Sequence, residues 1–137
     1  MKSIFYPVVL LAVWTLLVQV AIAFTRVRAG MRRRIRVDDF KYGESPTVPP
    51  DVCLPNRNYM NLLEAPVLFY VACIVLFVTA SVTHAATMLA WLYVALRIGH
   101  SLIHLSYNDV MHRLAAFGAS NVVLAILWLM AGMHLAS

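Results

Sequence analysis

Four uninterrupted apolar runs constrain this chain more than any other feature in it. They are "IFYPVVLLAVWTLLVQVAIAF" (4–24), "APVLFYVACIVLFVTASV" (65–82), "AATMLAWLYVALRIGHSLIHL" (85–105) and "LAAFGASNVVLAILWLMAGMHLA" (114–136). Each approaches the roughly 20 residues that an α-helix needs to cross a hydrocarbon layer of about 30 Å. Within lipid every backbone N–H and C=O must be satisfied by the chain itself, which leaves helices and closed barrels. Barrel strands alternate apolar and polar residues, and these runs do not. Composition agrees: of 137 residues 62% are hydrophobic and only 12% charged, too few charges to cover a soluble domain of this size. The fold class is all-α integral membrane, a four-transmembrane-helix bundle.

The pattern predicts a single domain over 1–137, with helices over 4–25, 58–82, 85–106 and 113–135 and a basic loop over 26–57. The turn "THA" (83–85) is tight enough to make the second and third helices an antiparallel hairpin. Lys2, the first apolar run and "AIA" (21–23) resemble the parts of a cleavable signal peptide. The run is longer than a usual signal core and a basic cluster follows it at once, so it reads as a retained anchor.

Charge then orients the bundle. Arg26, Arg28, Arg32, Arg33, Arg34, Arg36, Lys41 and Arg57 all fall between the first and second spans. The positive-inside rule puts that loop in the cytoplasm, with both termini and the 83–85 turn on the opposite side and the loop 106–113 back on the basic side. "RRRIR" (32–36) reads as a topology signal that touches anionic headgroups, not as a nucleic-acid site. Cys53 and Cys73 have neither a pairing pattern nor metal-ligand spacing, and no metal site is expected. The compact chain and the lack of a retention signal point to a bacterial inner membrane.

Several polar residues sit where lipid should be. Arg57, Asn61, Glu64 and Leu68 share one face of the second helix, and Pro66, if interior, would strip the Leu62 carbonyl of its partner. Arg97, His100 and His104 share a face near the end of the third helix, with Ser101 and Ser106 close by. Arg97 is the deepest cation and needs a counter-charge, so a pair with Glu64, or a ligand shared with it, is expected. Ionisable groups within a membrane mark functional sites by default. Arg113 opens the fourth helix; with Arg57, Arg97 and the basic loop it would build a cationic pocket for a small anion, since guanidinium forks bind carboxylates bidentately. Ser120 and Asn121 are expected to join helices. His84 and His134 read as interfacial, and the methionines as packing.

"RNYMNLLEAP" (57–66) followed by "RIGHSLIHLSYNDVMHR" (97–113) resembles the MAPEG family, membrane-associated proteins in eicosanoid and glutathione metabolism. The matching set is Arg57, Asn61, Glu64 and Pro66, then Arg97 and His100, then Arg113, with "TRVRAG" (25–30) as the basic exit of the first helix. The proline-rich "ESPTVPPD" (44–51) looks like a bacterial variation. The resemblance implies a homotrimer with glutathione between neighbouring subunits near the cytoplasmic face. Arg28 or Arg26, together with Arg57, would meet its carboxylates. Asn61, Glu64, Arg97, His100 and His104 would complete the binding set. Arg113 would be the catalytic residue, stabilising the thiolate opposite a lipid-side cleft. Three positions depart from glutathione-using members: His104 and Phe117 replace aromatic hydroxyls, and Met60 replaces an arginine.

The leading expectation is a glutathione-dependent transferase or peroxidase-like membrane protein acting on hydrophobic small-molecule electrophiles. The alternative is a MAPEG-fold lipid- or ligand-binding scaffold without catalysis, which the three departures favour. A small proton-coupled exporter using Glu64 is a third reading, but it leaves Arg57, Asn61 and Arg113 without a role.

Overall fold

A computed structural model describes residues 2–136; Met1 and Ser137, the ends of the expected domain, lie outside them. Five α-helices follow in order: α1 (Phe5–Met31), α2 (Pro50–Leu63), α3 (Ala65–Val78), α4 (His84–Leu105) and α5 (Val110–Ala136). Short 3-10 turns occupy Lys2–Ile4 and Val37–Phe40. Four stretches are long and apolar enough to cross a membrane: Lys2–Met31, Pro50–Val78, His84–Leu105 and Val110–Leu135. α2 and α3 together make the second of these.

The second span differs from the single helix over 58–82. It begins at Pro50, and the chain breaks at Glu64, whose φ of −83° and ψ of −97° belong to neither helix. Pro66 therefore falls in the first turn of α3, where a missing N–H removes no intrahelical bond. α1 likewise continues to Met31, which puts Arg26 and Arg28 on a helix instead of in a loop. At 27 residues it is about 40 Å long, longer than the hydrocarbon layer, so its arginine-bearing end emerges at the membrane surface.

The core follows helical spacing. Leu11 and Val18 of α1, Phe69, Ala72, Cys73 and Leu76 of α3, Ala86, Ala90, Tyr93 and Val94 of α4, and Val123, Leu124, Leu127 and Ala131 of α5 form one buried cluster. Small residues at these seams let the helices approach closely. α4 packs along α5 and also against α1 and α2, and α3 packs on α5. α1 and α5 thus flank α4 from different sides. The outward faces carry large apolar side chains such as Leu16, Val20, Phe24 and Leu129, a surface suited to lipid and a liability in water. Ala29, Val48, Val52 and Cys53, with Ile35 and Phe40 against them, fold the basic segment back onto the end of α1. Bidentate bonds from Arg34 to Asp51, both 2.9 Å, tie that segment to α2.

Helix ends are fixed by local chemistry. Thr83 caps α4 by accepting the Ala86 amide at 3.1 Å, as the "THA" turn suggests. Asp109 accepts the His112 amide at 2.9 Å at the start of α5. That bond holds the Asp109 carboxyl below the usual carboxylate range, so its capping is present above that range and is lost as pH falls through the lowered value. α3 ends in a Schellman motif: the Ser81 amide donates to Leu76 O at 2.9 Å and the Ala80 amide to Phe77 O at 3.1 Å. The turn needs a left-handed residue, and Ala80 supplies it at φ 56°. A left-handed L-residue costs about 1–2 kcal/mol, partly offset in a glycine by lost chain entropy. Ala80→Gly should therefore raise stability by about 0.5–1 kcal/mol, read as a later midpoint in detergent unfolding. An unchanged or earlier midpoint would contradict the strain.

Candidate functional site

The start of the second span, the end of α4 and the start of α5 converge at the basic membrane face. A cleft of about 320 Å³ is lined by Leu54, Arg57, Met60, Asn61, His104, Asn108 and Arg113. Beside it lies another of about 220 Å³, lined by Asn61, His100, Val110, Arg113, Leu114 and Phe117. Asn61 and Arg113 line both, so the two join around them. None of these lining residues is acidic.

Arg113 is the best-placed cation. One turn into α5, its Nη1 donates to Asn108 Oδ1 at 2.7 Å, while its Nε is buried without a partner. Asn108 reaches it from a left-handed position, φ 52°, a conformation asparagine tolerates. His100 and His104 sit on one face of α4, both buried, and each leaves its Nδ1 without a hydrogen bond. Their rings stand 6.1 Å apart, and His100 lies 6.0 Å from Phe117. Asn61 donates from Nδ2 to Arg57 O at 2.9 Å. Arg57 itself is exposed at the cleft mouth.

Arg97 lies beneath, fully buried. Its Nη2 donates to Asn61 O, its guanidinium lies 5.5 Å from the Phe117 ring centre, and its Nε and Nη1 have no partner. The expected pair with Glu64 does not form within the chain: among the described residues the ion pairs are elsewhere. Glu64 sits at the break between α2 and α3 and is exposed, so it does not continue the α2 face that carries Arg57 and Asn61.

Arg26 and Arg28 do not reach this cleft within one chain. Arg26 binds Glu44 at 3.1 Å and lies 4.4 Å from the Phe40 ring centre. Arg28 is exposed and lines separate clefts with Arg32. Ser120, expected to join helices, donates to Phe117 O of its own helix at 2.7 Å. Ser101 makes cross-helix ties instead: its hydroxyl accepts from Trp14 Nε1 at 2.9 Å and Asn58 Nδ2 at 2.6 Å. Asn108 carries no local signal beyond a polar residue in the loop 106–113, and Ser101 none beyond a polar residue in an apolar run.

Fold and site together define a multi-pass helical membrane protein with a cationic, histidine-bearing cleft at one membrane face. The sequence model of the MAPEG family matches residues 4–133, and the chain belongs to that family. No curated protein and no solved structure matches it.

Proposed function

We propose that the chain is a membrane-bound glutathione-dependent transferase or peroxidase-like protein acting on lipophilic electrophiles. The observation that carries this reading is Arg113, half-buried in the cleft, fixed by Asn108 and left with a buried, unpartnered Nε. Membership of the MAPEG family supports it.

The residues present suit glutathione. The tripeptide carries two carboxylates and an ionisable thiol, and the cleft offers the guanidiniums of Arg57 and Arg113, the Asn61 amide and two histidines with unpartnered ring nitrogens. Glu64, exposed at the helix break, lines neither cleft, so it would meet the ammonium only where the ligand extends past them. The joined clefts reach the size range of small-molecule sites, about 300–1,000 Å³. Bound glutathione would supply a nucleophilic thiol. Arg113 would lower that thiol's pKa by favouring the charged form, while Arg57 fixes a carboxylate and Phe117 and Leu114 exclude water.

A homotrimer accounts for Arg28, which makes no ion pair among the described residues. Arg28 lies on α1, on one flank of α4, whereas Arg113 lies on α5, on another. A head-to-tail ring would bring the α1 flank of one protomer against the α5 flank of the next and complete the site from two chains. The same reading puts the basic face in the cytoplasm, both termini opposite, and the protein in a bacterial inner membrane.

A non-catalytic binding protein of the same fold is the second reading. Phe117 favours it, since its ring brings no hydroxyl to the cleft wall. One experiment separates the two. Thermal unfolding of detergent-purified protein should rise with millimolar reduced glutathione, by about 2.7 kcal/mol at 100 times the dissociation constant, and Arg57→Ala should lose most of that gain. Ultraviolet absorbance of bound thiolate should be present in the wild type and absent in Arg113→Ala. A thermal shift without thiolate absorbance selects the binding protein; no shift in the wild type rejects glutathione.

A further inference from the structure

A separate cavity, of about 600 Å³, opens at the basic end of α1. It forms where the chain leaves α1 and folds back through the Val37–Phe40 turn. Its walls are apolar, from Val27, Ile35, Val37 and Phe40, with two guanidiniums, Arg26 and Arg36, among them. Arg26 spends one nitrogen on Glu44, but its Nε is buried without a partner. Arg36 makes no ion pair among the described residues. None of the residues around Arg57 and Arg113 lines this cavity.

Three features say what it holds. The first is depth: Val27 and Gly30 belong to the last turns of a helix that outruns the hydrocarbon layer, so the cavity sits at headgroup level. The second is continuity with lipid. Val20, Phe24 and Val27 are 66%, 63% and 61% exposed, spaced four and three apart, so they form an apolar stripe that runs up α1 into the cavity. The third is the segment that closes it. Between residues 26 and 41 stand seven basic side chains against two acidic ones. Yet Val37 and Tyr42 beside them are 92% and 93% exposed. Apolar tips held out among cations are the signature of a segment resting on an anionic bilayer surface.

We propose that this cavity seats one anionic phospholipid per protomer. Its phosphate meets Arg26 and Arg36, one acyl chain lies along the Val20–Phe24–Val27 stripe, and Val37 and Tyr42 enter the headgroup layer beside it. Charge complementarity selects an anionic over a zwitterionic headgroup, because a phosphate without a neighbouring ammonium leaves both guanidiniums to bind it.

Gly30 gives a clean test. A Cβ built there meets nothing within 4 Å, so Gly30→Leu fills the cavity without disturbing the helix. Full-length protein in mixed micelles of phosphatidylglycerol and phosphatidylcholine is released into native mass spectrometry and its retained lipids counted. The wild type should keep about one phosphatidylglycerol per protomer, in at least tenfold excess over phosphatidylcholine. Arg36→Ala and Gly30→Leu should each abolish that excess, with unfolding midpoints unchanged in lipid-free detergent, whereas Arg57→Ala should keep it. Equal retention of the two lipids by the wild type overturns the proposal. So does an excess that survives both variants. A change of oligomeric state in Gly30→Leu with lipid retention intact also overturns it, and assigns the cavity to a second copy of the chain.

Discussion

Phe69→Ala should lower the unfolding free energy by about 3 kcal/mol, at the low end of the 3–5 kcal/mol seen for buried aromatic truncations. Phe69 is completely buried and stacks on Tyr93, with ring centres 4.4 Å apart and an interplanar angle of 20°. The low end follows from the solvent. Lipid tails are as apolar as leucine, so moving Phe69 out of the protein regains little hydrophobic free energy. What is lost is close packing: a ring's worth of dispersion contacts and the stack, with a void left between α3 and α4. Leu68, the neighbouring residue, is 52% exposed and faces lipid. Leu68→Ala should therefore stay within about 0.5 kcal/mol of the wild type. Tyr93→Phe keeps the ring and deletes a buried hydroxyl that has no partner, so it should be neutral or stabilising. Equilibrium unfolding in mixed detergent micelles measures all three. Equal losses for Phe69→Ala and Leu68→Ala would mean that packing against α4 contributes nothing special.

The spans were legible because each is a long apolar run, and lipid leaves such a run little choice but helix. Their ends were not, for two physical reasons. The start of the second span, "PDVCLPNRNYMNLL", is amphipathic instead of apolar, so the expected helix begins only at 58 while the helix itself begins at Pro50. α1 runs on through "TRVRAGM" because nothing there opposes a helix except one glycine. It stops at a Schellman turn whose left-handed residue is Arg33, φ 54°, a position where neither glycine nor asparagine signals the end. Pro66 was open to two readings, interior or first turn, and the break at Glu64 decides between them.

Within the site, helical spacing groups residues that stay on one helix, whereas Glu64 and Leu68, expected on the Arg57–Asn61 face, lie at and beyond the break. Arg57 with Asn61, and His100 with His104, come to adjoining clefts that also receive Arg113. Pairing across helices by depth alone was less informative. Depth matches Arg97 with Glu64 as opposite charges, yet they form no ion pair among the described residues, and Arg97 donates to the Asn61 carbonyl instead. The Arg26 and Arg28 placements carry the same lesson: the sequence says that they lie near the basic face, but which flank they serve depends on how α1 packs against α2 and α4.

The contact least visible in the sequence gives the second large effect. Ser101→Ala should cost about 2–4 kcal/mol. The hydroxyl is completely buried and accepts from Trp14 and Asn58, which are 87 and 43 residues away, so one oxygen ties α4 to α1 and α2. Its removal leaves two donors unpaired in an apolar interior, at about 1–3 kcal/mol each. Average cross-helix hydrogen bonds in membranes contribute only about 0.6 kcal/mol, because the unfolded state also finds partners. That average describes a single bond lost, whereas here two donors remain behind with nothing to bind. Ser106→Ala is the control: that hydroxyl is exposed and donates to Leu102 O of its own helix at 2.6 Å, so the change should stay within about 0.5 kcal/mol. The double variant Ser101→Ala/Asn58→Leu should recover part of the loss, since it removes one stranded donor and also the unpartnered Asn58 Oδ1. Asn58 lies beside Arg57 and one turn before Asn61, so releasing it should also loosen the cleft and weaken any anion bound there. A double variant no better than the sum of its two single changes would show that the hydroxyl does not hold these helices together through Asn58.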